Sequence, residues 1–250
     1  MGTVVWKKDI DSAVYTEALV DAPSYIGPLD FWKAHDGLKI HRMDDLDTLL
    51  ISKLSPGFDR ECVDNLSLLL RKVSEGGLPR LKYLVFDFAH QGEQVAEAAD
   101  GFDELASANA RLILDAPVIS IAWARSYLAD ADLDFALSCS MMVADRSARF
   151  NFDADLTSAV GVYGALAQKL GFVKAERLME GGEILTAEQM HELRLVKHII
   201  EKDEGIGGAE SYVRQCGRRY NASYSMFRAQ RISVPPIRRP ILNSAVGRRG

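Results

Sequence analysis

Asp130, Ala131, Asp132 and Asp134 crowd into five positions where an apolar run, Pro117 to Trp123, gives way through a tight turn to a helical one. The start of a helix presents backbone N–H groups without partners and the positive end of the helix dipole. Such a place can hold an anion. Glycine usually lets the ligand approach the backbone there. No glycine stands between Tyr127 and Asp132, and two aspartates do. Asp130 is a good N-cap, so its carboxylate can occupy neighbouring amides itself. The chemistry open to the turn is therefore anion binding by backbone amides, or acid–base work by carboxylates, or mere capping.

Little else competes with it. The chain has no GxxxxGK[ST], GxGxxG, HExxH, CxxC or GxSxG pattern, which argues against nucleotide loops, zinc hydrolysis and a serine elbow. No metal site and no cofactor is expected. His90, in Phe88-Ala89-His90-Gln91-Gly92, follows a buried strand, where sites often form in α/β folds. His191 and His198 read as a helix-surface and a strand-edge residue. Cys139 reads as a small core residue. The glycines of EGIGG (204–208) could cradle phosphate, or simply open a helix.

The elements that must position these residues alternate. Strands are predicted over Leu46–Leu54, Leu81–Phe88, Val118–Trp123, Met141–Ala144, Arg149–Phe152 and Lys197–Ile200. Helices are predicted over Phe58–Ser74, Glu93–Leu114, Leu133–Ser138, Val162–Leu170, Lys174–Glu180 and Ala187–Leu193, with another from Gly208. Residues 211–230 mix Arg with Tyr, Phe and Met at helical spacing and read as a packed helix with a basic face. Continuous apolar strands separated by helices imply a largely parallel, buried sheet of α/β class. Four regions are expected: an irregular segment at 1–45, a core at 46–200, a helical region at 201–231 and a basic tail at 232–250.

At 250 residues and 48% hydrophobic, the chain can bury one full core. The opening MGTVVWKKDIDS lacks a secretory apolar run, and Trp6 breaks a myristoylation pattern. No window has the apolar length of a membrane helix, so no membrane partner is expected. The three cysteines are far apart, as in a reducing cytoplasm. Residues 211–250 hold nine arginines and no lysine or acidic residue, so the other 210 residues carry −14 of the net −5. The basic end offers contacts to phosphate, nucleic acid or an acidic neighbour, but the acidic body opposes nucleic acid.

The order PVISIA, helix DFALSC, MMVADRSARFNF and then GALAQKLGFVKAERLMEGGEILTAEQMHELRLVKHII resembles the crotonase superfamily of enoyl-CoA hydratases and isomerases. The likeness covers roughly residues 46–200. Gly205 through Gln230 further resembles the diffusible-signal-factor synthases of that superfamily. The resemblance implies a spiral of ββα units with a C-terminal helical region. It also implies self-association as a trimer or hexamer and an acyl-CoA or acyl-carrier-protein thioester as substrate. In that chemistry two backbone N–H groups, one at a helix start, hold the oxyanion of an enolate while carboxylates move the proton.

Carried onto this chain, the family's three-glycine turn falls on Asp130, Ala131 and Asp132, with the Ala131 N–H as donor. The first catalytic acid falls on Asp134 and the second on Ala154, which has no acid or base. The other donor and the adenine-holding loop fall after Phe88, in a stretch shortened to AHQGEQ that includes Ala89 and His90. Asp130, Asp132, Ala89, His90 and Ala154 thus become candidate substrate contacts, and Asp134 and Ala131 the candidate catalytic groups. The aspartates are expected to repel an enolate. One damaged oxyanion donor already costs about 2.7–4 kcal/mol. Two readings of the site follow: an enzyme on an acyl thioester with altered machinery, or a non-catalytic homologue that binds or assembles.

Overall fold

The apolar runs become strands that lie side by side, because neither face of such a run tolerates water. The computed structural model describes residues 26, 29–32, 36–54, 60–89, 112–153, 156–201 and 203–233. In chain order the elements are β1 (Leu38–Met43), a 3-10 turn (Asp44–Leu46), β2 (Thr48–Lys53), α1 (Arg60–Ser74), β3 (Tyr83–Phe88), β4 (Ile119–Ala124), β5 (Tyr127–Leu128), α2 (Asp130–Ser138), β6 (Met141–Asp145) and β7 (Arg149–Asn151). They continue as α3 (Leu156–Leu170), α4 (Phe172–Gly181), β8 (Ile184–Thr186), α5 (Ala187–Glu192), β9 (Val196–Ile200), α6 (Gly205–Gly217) and α7 (Tyr220–Ser233).

The main sheet has six strands in the order β1-β2-β3-β4-β6-β9. Only the β1–β2 pair is antiparallel; β2, β3, β4, β6 and β9 run parallel. A small second sheet joins β5, β7 and β8. In register, Ser52 lies beside Asp87 and Asp87 beside Trp123; Lys53, Phe88 and Ala124 form the next row. Alternation then sends the two rows to opposite faces.

One face packs against α1 and α2. Leu49, Ile51, Leu84, Phe86 and Phe88 meet Val63, Leu66, Leu70, Leu133 and Phe135 there. Phe135 sits edge-on to Phe86 at 4.9 Å. The other face, with Leu50, Val85, Ile121, Trp123 and Val143, is covered by α6 and α7 through Ala209, Val213, Tyr220 and Tyr224. No helix among the described residues is long and apolar enough to cross a membrane.

The predicted elements hold to within six residues, with five differences. Ile184–Thr186, where no strand is predicted, is a strand of the small sheet. Leu38–Met43, inside the segment read as irregular, is a strand paired with β2. Tyr127–Leu128 is a short strand rather than loop. Helix α2 starts three residues before Leu133. The helical stretch read across 211–230 is two helices, broken at Arg218 and Arg219. Most of the helix predicted over Glu93–Leu114 lies outside the described residues; its end is helical from Leu112.

Candidate active site

The turn into α2 is built by the end of β4. Ala124 leaves the main sheet, Tyr127 and Leu128 pair with Arg149 and Phe150 of the small sheet, and the chain reverses into the helix. Asp130 makes that reversal with φ +44°, in the left-handed region that favours glycine. Aspartate is among the few side chains that enter it at modest cost. The expected N-cap role is corrected here. Ala129 is the N-cap, in extended conformation and without a side-chain cap, because Asp130 supplies the bend instead.

The turn leaves a backbone donor. The N–H groups of Asp132 and Leu133 both donate to the Ala129 carbonyl, at 3.1 Å. The Ala131 N–H has no acceptor among the described residues. It therefore stands at the positive end of α2 as a donor.

The two nearby carboxylates point different ways. Asp132 and Asp134 are two apart on a helix, about 200° around its axis. Both are buried, at 5% and 7% exposure. Asp132 faces the sheet, where the Lys53 ammonium lies 3.2 Å from its Oδ2 and is itself 4% exposed. There the Asp132 charge is met by a buried cation. Asp134 shares a face with Ala131, three residues on, and lies against Gly161 of α3. A Cβ on Gly161 would come within 2.5 Å of the Asp134 Cγ. The missing side chain of Gly161 is what makes room for the carboxylate.

Of the other candidates, Ala89 donates its N–H to the Lys53 carbonyl at 3.0 Å, so that amide extends the β2–β3 ladder and is not a spare donor. His90 and Ala154 lie outside the described residues. Asp130, Ala131, Asp132 and Asp134 share one helix start, joined by Lys53 and Gly161, which sequence reasoning missed. The signals were a lysine closing the apolar strand LDTLLISK and a glycine inside the helical run VGVYGALAQ.

A second polar cluster lies on the opposite face of the sheet. Asp87 accepts from the Ser52 hydroxyl at 2.8 Å, and Asp145 accepts from the Trp123 indole at 2.7 Å. Arg125 reaches between them, 3.6 Å from Asp87 and 3.8 Å from Asp145, over the Trp123 ring at 4.8 Å. Burial raises the Asp87 carboxyl to about 6, against the hydrogen bond from Ser52 and the charge of Arg125. Burial also raises Asp145.

The phosphate reading of EGIGG gives way to packing. A Cβ on Gly208 would come within 2.6 Å of Ile200 Cγ2, so this glycine lets α6 close on β9. Cys139 is buried, with its thiol toward the Phe135 carbonyl. His191 meets the Val196 carbonyl and His198 stacks on Tyr212.

No protein-family model and no curated protein matches the sequence. Solved structures do match. DspI of Pseudomonas aeruginosa superposes with a TM-score of 0.65 at 19% identity, covering 82% of this chain and 84% of that one. An enoyl-CoA hydratase from Mycobacterium avium subsp. paratuberculosis gives 0.64 at 15% identity, over 80% and 85%. An enoyl-CoA hydratase/isomerase from Marinobacter aquaeolei gives 0.63 at 14%, over 79% and 84%. At these identities the likeness establishes the fold: a crotonase-type α/β fold.

Proposed function

We propose that the chain acts on an acyl thioester, of coenzyme A or an acyl carrier protein, by stabilising its enolate at the start of α2. The observation that carries this reading is the left-handed bend at Asp130, which leaves the Ala131 N–H without an acceptor among the described residues, one helical turn from the Asp134 carboxylate. A thioester carbonyl oxygen would accept the Ala131 N–H. Asp134 would take the proton from the adjacent carbon. The C–H electron pair would become the C=C of the enolate, and the carbonyl pair would move to oxygen, where the amide and the helix dipole stabilise it. Return of the proton to another carbon is an isomerisation. Hydration needs a second acid or base, and Ala154, at the corresponding position, has none. The reading therefore favours enolisation or isomerisation over hydration. Names of structures with the same fold support the substrate class, and the site is this chain's own.

The test is a panel of 2-enoyl and 3-enoyl thioesters of coenzyme A and of an acyl carrier protein. Double-bond migration is expected, with hydration slower. Asp134→Asn should lower the rate at least about 100-fold, the usual share of a general base. No turnover of any thioester would end the reading.

A second reading is a non-catalytic binding or scaffold protein that assembles as a trimer or hexamer. Phe172 and Val173 favour it, because they open α4 at 61% and 65% exposure, large for adjacent apolar side chains. Stable oligomers without affinity for any acyl thioester would support it.

A further inference from the structure

We propose that Arg125 is a proton-operated latch on the connection from β4 to α2, shared by Asp87 and Asp145 when Asp87 is charged and drawn to Asp145 alone when Asp87 takes a proton. The inference stands apart from the acyl-thioester reading. Asp87 of β3 lies between Ser52 of β2 and Trp123 of β4 in one row of the sheet. Arg125 follows β4 directly and begins the connection, Arg125 to Ala129, that ends at the Asp130 bend. Its guanidinium lies 3.6 Å from Asp87 Oδ2 and 3.8 Å from Asp145 Oδ2. It is within reach of both charges and too far from either for a good hydrogen bond. The Trp123 ring beneath it, at 4.8 Å, is fully buried, whereas the Arg125 side chain is 35% exposed. The ring is therefore fixed, and the arginine has room to shift over it.

The two carboxylates are tied differently. Asp87 Oδ2 accepts from Ser52, but its Oδ1 has no hydrogen-bond partner among the described residues. A buried carboxylate with one bare oxygen is costly to keep charged, so it takes a proton. Burial accordingly raises it to about 6, against Ser52 and Arg125 and with the Asp145 charge adding to the rise. Asp145 holds the Trp123 indole with Oδ1 and leaves Oδ2 toward Arg125 Nε. Once Asp87 is neutral, one of the two attractions on the arginine is gone. Arg125 then closes on Asp145 Oδ2 as a one-to-one, charge-assisted pair. Helices α6 and α7 cover this face with Ala209, Val213, Tyr212, Tyr220 and Tyr224. None of their charged side chains pairs with the cluster among the described residues, and His198 stacks on Tyr212. The groups that face Asp87 are therefore Ser52 of β2, Arg125 and, through it, Asp145 of β6.

The experiment follows isotope-labelled full-length protein by NMR from about pH 5 to pH 8, a span that brackets the Asp87 transition. The Trp123 indole N–H, told apart from those of Trp6 and Trp32 by Trp6→Phe and Trp32→Phe, reports on Asp145. The Arg125 Nε–H and the amides of Ser126 to Ala129 report on the latch. In wild-type protein all of them should shift with one midpoint near pH 6, and the Arg125 Nε–H should exchange more slowly on the acid side, where it is hydrogen-bonded. Asp87→Asn should be flat across the span and match the wild-type spectrum at low pH. In Arg125→Met, a change at a partly exposed side chain, the Asp87 carboxyl carbon should still titrate, at higher pH, while the Trp123 indole no longer follows it. Should Asp87→Asn not fold, Arg125→Met decides. An indole shift of equal size in Asp87→Asn assigns the titration to Asp145 or a histidine and overturns the latch. It is overturned as well by a flat wild-type indole, by an indole that follows Asp87 equally in Arg125→Met, or by amides of Ser126 to Ala129 that do not move with it.

Discussion

Asp130 holds a backbone conformation that its neighbours impose. At φ +44° a β-branched side chain clashes with the following carbonyl and glycine does not. Asp130→Val should therefore be less stable than Asp130→Gly by about 1–2 kcal/mol, read from urea midpoints; equal midpoints would remove the strain argument. Gly161 makes the complementary case. Its Cβ would overlap the Asp134 carboxyl group, so Gly161→Ala should cost about 1–3 kcal/mol in overpacking and displace the carboxylate. Thioester turnover should fall with it, whereas unchanged turnover would show that Asp134 is not the working base. Asp134 and Ala131 could be proposed from the sequence because the family pattern lands on them. Lys53 could not, because its partner lies 79 residues away and no local pattern encodes that distance. Gly161 was hidden for the same reason: only the packed helices show what its hydrogen faces.

Among the elements, the long apolar strands and amphipathic helices could be read because periodicity reports burial. β1 could not. In LKIHRM the alternation of apolar and polar residues breaks at Arg42, and the segment becomes a strand by pairing with β2. Helix α2 starts early because the bend at Asp130, which propensity does not reveal, turns the chain before Leu133 does. Its far end is held by contacts as well: Lys169 of α3 donates to the Cys139 carbonyl at 3.1 Å, a cation at the negative pole of the helix. The contact between α6 and β9 depends on Gly208. Gly208→Val should destabilise the protein by about 1–3 kcal/mol and raise amide exchange in α6 and α7 before the sheet. Uniform protection in that variant would show that the helices do not rest on this contact.

For the whole molecule, the sheet's two faces carry different polar groups, and that difference has a consequence in pH. Asp87 is almost wholly buried, and burial moves its carboxyl from 3.8 to about 6. The folded chain therefore holds this proton more tightly than the unfolded chain. The resulting stability is complete below about pH 4 and is lost as pH rises through 6, a span worth at most about 3 kcal/mol. Asp87→Asn cannot titrate there. Its stability relative to wild type should rise between pH 4 and pH 8, and a flat or falling difference in paired urea titrations would contradict the assignment. The overall α/β class was legible from alternating apolar runs, and the crotonase-type order of elements from the resemblance. The electrostatics were not, since they depend on which strand row faces which helix. The central claim is that the start of α2 enolises an acyl thioester. Its most direct measurement is exchange of the protons beside the carbonyl of an acyl-CoA in deuterated water, followed by mass spectrometry, because exchange needs no water addition and no second acid. Incorporation of deuterium with wild-type protein, lost in Asp134→Asn, is the predicted result. No exchange above the protein-free rate, or equal exchange by both proteins, would contradict it.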